Sequence, residues 1–318
     1  MLFNTLFLLI STFYRVMDAL SNVLELIKLK SAVYFKSDFS APWGMKISKG
    51  PFAQFHMIVK GKCVLKIHNQ NIVELYAGDI VIFPFGGSHW LADAKESQKE
   101  DGLKVVESIW NNNPLFKGSN FSTTLICGHF EFDRTVEHSF IQSLPSFMHI
   151  TDIERKEFSW LESISNLIMQ ESGTNNIGNS ITQNRLAEVL FIHAIRAYIL
   201  QNNDEIGFFA ALKDAKLSSV LKLVHNNPEK NWTLKNLSSE AGMSRTLFAN
   251  KFRDIVGETP LHYITNWRIL KAKQILRESS DPIVEVAEKV GYSSEAAFNR
   301  VFKKKVLKTP AAYRRATS

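Results

Sequence analysis

The sequence predicts a mixed α+β protein of several domains, with an N-terminal β-barrel, a helical segment and an all-α C-terminal domain. Short β-branched and aromatic runs, separated by turn residues, dominate residues 17–150. Amphipathic helical periodicity begins near Asp152. One helix-turn-helix pattern then occurs twice in the last hundred residues, about fifty positions apart. A length of 318 residues is enough for two hydrophobic cores.

The distribution of charge separates the two halves. Residues 219–318 carry 18 Lys and Arg against 9 Asp and Glu, a net charge of +9. The other 218 residues carry 20 and 22, a net charge of −2. Because phosphate neutralisation supplies much of the affinity for nucleic acids, this asymmetry predicts that the last hundred residues contact double-stranded DNA.

The cysteine content and the N-terminus bear on the compartment. Two cysteines, Cys63 and Cys127, are too few for a disulfide framework and fit the reducing cytoplasm. Residues 1–16 are strongly apolar, yet they are too short to span a bilayer and carry no basic residue ahead of the apolar run. We interpret them as an upstream extension or a start-site artefact before Met17, with membrane tethering as the alternative.

In the N-terminal half the pattern predicts strands at residues 55–59, 63–67, 80–83 and 124–130. Several short strands at this spacing are typical of a small barrel or sandwich. The stretch from Lys95 to Asn120 is rich in Asn, Lys and Ser, which predicts a mobile loop.

The segment 151–216 is predicted to be helical, with one helix from about 152 to 173, a second over 183–201, and a linker around 201–216. Both helices have an apolar stripe that needs a partner. The stripe can pack on the barrel of its own chain or on a second copy, and the prediction favours a homodimer contact.

The C-terminal segment, residues 217–318, carries the duplicated motif. In the first copy Thr233 is a good N-cap, Gly242 suits a left-handed turn, and Ser244 can cap the following helix. The second copy has Gly291 in a turn one residue longer, with Ser293 or Ser294 as the cap. A helix over 261–277 separates the copies, with a length of about 25 Å. One chain could therefore place both recognition helices in successive major grooves, about 34 Å apart.

Residue type sorts the outward side chains of the two recognition helices by function. Arginine reads guanine, asparagine reads adenine, glutamate accepts from cytosine, and small apolar groups contact the thymine methyl. The predicted base-facing residues are Arg245, Thr246, Ala249, Asn250, Glu295, Ala296, Asn299 and Arg300. The predicted phosphate contacts, which position the protein, are Lys251, Arg253, Lys303, Lys304, Lys305, Arg314 and Arg315. We expect the second copy, with Asn299 and Arg300, to contribute more to specificity.

These residues resemble the AraC/XylS family of bacterial transcription regulators. The match includes Ala241-Gly-Met-Ser244, Thr259-Pro260, Arg268-Ile-x-x-Ala272, Val290-Gly-Tyr-Ser293 and Thr309-Pro310. The resemblance implies sequence-specific promoter binding, activation of transcription through RNA polymerase, and an N-terminal domain that senses an effector. Leu307 departs from the family pattern, which has glycine before the second Thr-Pro pair.

The N-terminal half resembles the cupin sensor of such regulators. Gly78-x5-Pro84-x-Gly86-x2-His89 is similar to the second cupin motif, and Phe55-His56-x4-Gly61 to a reduced first one. Two imidazoles, His56 and His89, are fewer ligands than a zinc or iron site normally uses. We therefore expect His56 and His89 to be structural or to line a small-molecule pocket, with no metal cofactor and no enzymatic activity. The alternative is a metal-dependent cupin enzyme with an accessory DNA-binding domain.

Short segments at 17–21, 126–128 and 143–145 resemble a subgroup that responds to reactive chlorine or other oxidants. That resemblance implies a redox-active Cys127, for which Cys63 could be the partner. The alternative is that Cys127 is buried and inert, as free cysteines in apolar strands usually are.

Overall fold

Two units, each discontinuous in sequence, make up the chain in this computed structural model. The structure describes residues 17–68, 70–118, 121–133, 136–172, 174, 176–202 and 205–317, so the predicted apolar extension of residues 1–16 lies outside the described residues. The sheet unit contains residues 29–132 and 144–202. Of the described residues, the helical unit contains those up to Lys28, those within the segment Asp133–Ser143, and those from 205 onward.

The sheet unit is built on a curled sheet in which the strands have the order β1-β8-β3-β6-β2-β7, with β4 and β5 paired to β3 and β9 paired to β5. The strands are β1 Lys30–Ser40, β2 Gly44–Ile47, β3 Ala53–Ile67, β4 Ile72–Tyr76, β5 Ile80–Phe83, β6 His89–Ala92, β7 Glu100–Asp101, β8 Phe121–Glu131 and β9 Met148–Ile150. The predicted strands at 55–59 and 63–67 are one continuous strand, β3. The predicted mixed α+β fold with a barrel-like N-terminal sheet is confirmed.

Strand β3 curls the sheet at Gly61. Its first part pairs with β5 and β8, and its second part pairs with β4 and β6. Gly61 has φ of 75°, and a Cβ there would stand 1.8 Å from the Ser122 carbonyl oxygen. Glycine is therefore required where the strand bends close to its neighbour.

The prediction of a mobile loop over Lys95–Asn120 is wrong at residues 100–110, where strand β7 and a helix lie. Helix α2, Gly102–Trp110, lies there, and the Asp101 side chain caps it by accepting hydrogen bonds from two backbone amides of its first turn. Val105 of this helix is buried in the core of the sheet unit. The indole of Trp110 donates to the Tyr34 carbonyl at 2.8 Å. A good N-cap and the apolar side chains of Val105, Val106 and Ile109 hold this helix on the sheet.

Three helices complete the sheet unit: α4 Asp152–Glu157, α5 Ser159–Glu171 and α6 Asn179–Gln201. Thr151 and Glu154 form a capping box at the start of α4. Helices α5 and α6 pack on each other, and α6 also packs on β1. The apolar stripe of α6, which includes Leu190, Ala194 and Ala197, is buried in these contacts.

The helical unit combines three parts of the chain. Its helices are α1 Ala19–Leu26, α3 Ser139–Ser143, α7 Phe208–Lys213, α8 Ala215–Asn226, α9 Leu234–Glu240, α10 Arg245–Val256, α11 Pro260–Glu278, α12 Ile283–Lys289, α13 Glu295–Val306 and α14 Pro310–Thr317. The sequence pattern predicted neither α1 nor α7. Helix α7 occupies the predicted linker. Its Phe208 and Phe209 are buried where the helix packs on α8 and α10. The Ser143 hydroxyl accepts a hydrogen bond from the Phe208 amide at the start of the helix.

Each helix-turn-helix copy has an aromatic core. Phe248 and Phe252 are buried in the first copy, where Phe252 meets Tyr263 of α11 edge-on at 5.6 Å. Phe298 and Phe302 are buried in the second, together with Ala272 and Leu276 of the same helix α11. Among the described helices, none has the length and apolar composition needed to cross a membrane.

Candidate nucleic-acid interface

The first copy of the motif has the local structure that its sequence predicts. The Thr233 hydroxyl accepts from the Asn236 amide, and the Asn236 side chain accepts from the Thr233 amide, which closes a capping box. Gly242 has φ of 59°, the left-handed conformation that glycine adopts readily. The Ser244 hydroxyl caps recognition helix α10 by accepting from the Leu247 amide. These predicted caps are confirmed.

In the second copy the cap of recognition helix α13 is Ser294, whose hydroxyl accepts from the Ala297 amide. Gly291 has φ of 81°. Five residues, 290–294, separate α12 from α13, whereas four residues, 241–244, separate α9 from α10. The extra residue therefore lies in the second turn, as predicted from the sequence.

The predicted base-reading side chains lie on the two recognition helices with different exposure. Ala249 and Asn299 are half-buried, and the others are exposed: Arg245, Thr246, Asn250, Glu295, Ala296 and Arg300. The Asn299 amide nitrogen donates to the Glu295 carboxylate at 3.3 Å, one helical turn away. Each helix also presents the positive end of its dipole at a serine-capped N-terminus.

Some of the predicted phosphate contacts are already engaged within the unit. The Lys251 ammonium pairs with the Asp214 carboxylate, and the Arg314 guanidinium donates to the Asp281 carbonyl at 2.6 Å. Lys305 contacts the His262 imidazole at 2.8 Å. Lys303 and Lys304, in the last turn of α13, are exposed. Arg253 and Arg315 are exposed as well.

Helix α11 joins the two copies over 19 residues, a length of about 28 Å. Its Tyr263 is buried, and the phenol oxygen lies 3.0 Å from Nε2 of His138 and 2.7 Å from Nε2 of His225. His225 stacks on Trp267 with ring centres 3.7 Å apart. No local sequence pattern marks this cluster, because its members are far apart in the chain.

The neighbouring atoms determine the direction of these hydrogen bonds. Nδ1 of His138 accepts from the Phe140 amide at 3.0 Å, so the proton of the neutral ring is on Nε2. That nitrogen donates to the Tyr263 oxygen, and the phenol donates onward to Nε2 of His225. Nδ1 of His225 then carries the proton and faces the backbone of Ala19 without a well-formed hydrogen bond. Burial lowers the pKa of His138 to about 3, and it lowers that of His225 well below its usual range, so both rings are neutral.

The sheet unit places both predicted pocket histidines and the predicted redox cysteine together. His56 lies opposite Cys127 in the register of β3 and β8. Nδ1 of His56 is 3.0 Å from the Cys127 sulfur, and its Nε2 is 2.9 Å from Nε2 of His89. Nδ1 of His89 is 2.7 Å from the Gly87 carbonyl. All three side chains are buried.

That carbonyl can only accept, so the Cys127–His56–His89 cluster has one arrangement of protons when it is neutral. His89 donates from Nδ1, His56 donates to His89, and the Cys127 thiol donates to His56. Burial lowers the pKa of His89 to about 4 and that of His56 well below its usual range. Burial also raises the pKa of Cys127 well above its usual range, and raises that of Cys63 to about 12. Both cysteines are thus thiols at neutral pH, the less nucleophilic form.

The geometry also bears on metal binding. Among the described residues, no group of three or more His, Cys, Asp or Glu side chains is arranged to hold an ion. The two nitrogens of His56 face opposite neighbours, so the three polar side chains form a chain and do not converge on one point. His89 also lies flat against Phe83, with ring centres 3.8 Å apart.

Two family models match the chain. A cupin model covers residues 18–200, and a helix-turn-helix domain model covers residues 237–316. The first spans the predicted sensor and the helices that follow it, and the second spans both recognition helices.

Three curated relatives match nearly the whole chain. The HTH-type transcriptional regulator AlkR of Acinetobacter baylyi is 29% identical over 304 residues, 94% of this chain and 99% of that protein. A putative AraC-like transcription regulator of Streptomyces antibioticus is 28% identical, over 94% and 99% of the two chains. The RCS-specific HTH-type transcriptional activator RclR of Escherichia coli is 27% identical, over 94% and 97%. The chain therefore belongs to the cupin family and is a DNA-binding transcription regulator of the AraC type.

Proposed function

We propose that the protein binds promoter DNA by placing α10 and α13 in the major groove, and that its sheet unit responds to a small molecule or an oxidant. The observation that carries the proposal is that one helix, α11, packs against both copies in the unit that holds the excess positive charge. A single chain therefore presents two recognition helices that can bind one DNA molecule together.

The exposed side chains of the two recognition helices differ in the DNA contacts that they are suited to make. Arg300 is suited to a bidentate contact with guanine, and Asn250 to one with adenine. Lys304, exposed in the last turn of α13, is suited to a phosphate. The base contacts carry sequence preference, whereas the phosphate contact carries affinity alone.

The experiment uses the full chain, because α1 and the segment Asp133–Ser143 are part of the helical unit. A randomised duplex library is selected with the wild type, and the affinity for the selected site is then measured by fluorescence anisotropy. Arg300→Ala should relax preference at one base position, at a cost of about 1–3 kcal/mol. Lys304→Ala should weaken all sequences alike and reduce the salt slope by about 1. If the wild type selects no sequence, or if the two variants behave alike, the proposal is wrong.

Chain connectivity supports regulation of the helical unit by the sheet unit. The segment Asp133–Ser143 follows strand β8 and precedes β9, yet it packs in the helical unit. Its Asp133 forms an ion pair with Arg277 of α11, and its His138 donates to Tyr263 of the same helix. A rearrangement of the sheet that moves either end of this segment would act on the helix that joins the two copies. An effector produces such a shift only if it binds two arrangements with different affinity.

The Cys127–His56–His89 cluster is a buried polar group of the sheet unit on which an effector could act. Every ring nitrogen of His56 and His89 already has a hydrogen-bond partner, so a small molecule would act here by displacing one of those partners. An oxidant would have to react with a buried thiol, and Cys63 is the second cysteine of the chain. Measuring the DNA affinity of wild type and Cys127→Ser before and after hypochlorite treatment distinguishes an oxidant response at Cys127 from a response to a small molecule. An oxidant response that survives in Cys127→Ser removes Cys127 from the sensing step.

We also propose that the protein is a homodimer that activates transcription by contact with RNA polymerase. The apolar stripe of α6 is already packed within its own unit, so a dimer contact on these helices falls to side chains that remain exposed, such as Leu167 and Ile181. Sedimentation of wild type and Leu167→Asp tests the contact: a monomeric wild type would contradict it. Transcription in vitro from the selected site tests activation.

A further inference from the structure

Arg268 is half-buried in the middle of α11 and hydrogen-bonds the backbone that leads into the first helix-turn-helix copy. Its Nε donates to the Pro228 carbonyl at 2.8 Å, and one of its terminal nitrogens donates to the Lys230 carbonyl, also at 2.8 Å. Both carbonyls lie in the turn between α8 and α9. Two charge-assisted hydrogen bonds from one planar guanidinium fix that turn against α11 in both position and rotation.

The same guanidinium touches the turn of the second copy. It lies over the Tyr292 ring, 5.7 Å from the ring centre. At Gly291 a Cβ would stand 2.5 Å from Nη2 of Arg268 and 2.7 Å from the Pro228 carbonyl oxygen. The loop that leads into the first copy and the turn of the second copy therefore close on one side chain, with no room for a β-carbon at Gly291.

Comparison with the first copy shows that this contact is specific to the second. Gly242 occupies the equivalent turn position with φ of 59°, yet a Cβ there would have no heavy atom within 4 Å. Glycine at 242 serves only the backbone conformation, whereas glycine at 291 also permits close approach.

Each copy packs on its own half of α11, the first at Tyr263 and the second at Ala272 and Leu276. A contact that joins the loop at 228–230 to the turn at 291–292 ties the two copies together a second time, because the loop leads into the first copy and the turn belongs to the second. Burial of the guanidinium strengthens the requirement, since a desolvated cation must keep its acceptors.

We propose that Arg268 is a positioning residue that sets the placement of the two recognition helices relative to each other, and so determines the spacing between the two DNA half-sites. This rests on the proposed function, in which both helices read one DNA molecule. Arg268 itself contacts no base in this proposal; it acts through the turns that it joins.

The test selects sites from a randomised 40-base-pair duplex library, a length of about four helical turns, with full-length wild type, Arg268→Ala and Arg268→Lys. We expect the wild type to select two half-sites at one spacing. Arg268→Ala should select the same half-sites at several spacings. In anisotropy titrations, one inserted base pair should cost the wild type about tenfold in affinity, as one lost base contact does, and the alanine variant less than about threefold. Arg268→Lys, which keeps the charge but not the fork, should resemble alanine.

Gly291→Ala provides a second route to the same result, because it displaces the guanidinium without removing it, and keeps the proposal testable if Arg268→Ala does not fold. Gly242→Ala is its matched control, with the same backbone strain and no contact, and should keep a single spacing. A wild type that selects no sequence would refute the proposed function. A wild type with one spacing that both Arg268→Ala and Gly291→Ala retain would refute the positioning role alone.

Discussion

Leu307 gives the sharpest test of the backbone reasoning. It is the C-cap residue of α13 and has a left-handed conformation, with φ of 60° and ψ of 7°. Gly257 adopts the same left-handed conformation at the equivalent position, the end of α10. The glycine expected from the family pattern is thus replaced by leucine without a change in the turn. We predict that Leu307→Gly stabilises the protein.

The magnitude follows from three contributions. A β-carbon in the left-handed region costs about 1–2 kcal/mol, which glycine relieves. Glycine adds freedom to the unfolded chain, at a cost of about 0.4–1 kcal/mol. The leucine side chain is 85% exposed, so its loss costs only about 0.3 kcal/mol. The expected net gain is about 0.5 kcal/mol in the free energy of unfolding.

The mirror-image control is Gly257→Ala. Its φ is 89°, and a Cβ there would have no heavy atom within 4 Å, so the loss of about 1 kcal/mol would come from the backbone alone. Urea unfolding followed by circular dichroism gives the two midpoints, and hydrogen exchange in α13 and α14 shows whether the gain is local. A midpoint that falls for Leu307→Gly as it does for Gly257→Ala would refute the reasoning.

Three further predictions concern the buried polar clusters. Tyr263→Phe leaves two buried imidazole nitrogens without a partner and should lower the free energy of unfolding by about 2–4 kcal/mol, whereas Tyr76→Phe, at an exposed tyrosine, should change the urea midpoint little. Because burial lowers the pKa of His89 to about 4 and of His138 to about 3, the unfolded chain takes up protons first as pH falls below about 6.5. Stability should therefore fall between pH 6.5 and 4 by about 1.4 kcal/mol per pH unit for each ring, and equal urea midpoints at pH 7 and 5 would contradict this. The Cys127 thiol should react with iodoacetamide at pH 8 only on unfolding, and mass spectrometry of the labelled peptide would show any faster reaction.

The helix-turn-helix half was predictable from sequence because its signals are local. A cap, a left-handed glycine and an apolar period each lie within a few residues, as Thr233, Gly242 and Ser244 illustrate. Even the extra residue in the second turn is visible as a change in spacing. The side chains on the outer faces could be named, but their exposure and intramolecular partners, such as Asp214 at Lys251, could not.

The sheet half was less predictable because its important contacts depend on register. From the sequence, His56 and His89 are candidate pocket residues and Cys127 is a separate redox candidate. The pairing of β3 with β8 places Cys127 beside His56, and His89 of β6 contacts the same imidazole. Nothing in a single sequence reports which residue lies opposite another across 71 positions. The helix at 102–110 was missed for a different reason, since the polar residues on either side of it obscured the apolar side chains Val105, Val106 and Ile109 that pack on the core.

The composition of the helical unit is the finding that local patterns could least anticipate. Helix α1 and the segment Asp133–Ser143 join it through long-range contacts: the Met17 amide donates to the Asn226 side chain, and Asp133 pairs with Arg277. The duplicated motif was visible, whereas the parts of the chain that support it were not. A fragment designed from the motif alone would leave out the partner of Tyr263.

The two copies of the motif therefore differ in their contacts and backbone strain, although their sequence patterns are similar. In the first, Gly242 has open space around it and Gly257 ends the recognition helix without strain. In the second, Gly291 is pressed against Arg268, and Leu307 adopts a conformation that glycine would adopt at lower cost. The second copy thus has a contact with Arg268 that the first copy lacks, and it has a strained backbone at Leu307, the end of its recognition helix. If Asn299 and Arg300 carry most of the base preference, the copy held by Arg268 is also the one whose placement specificity requires.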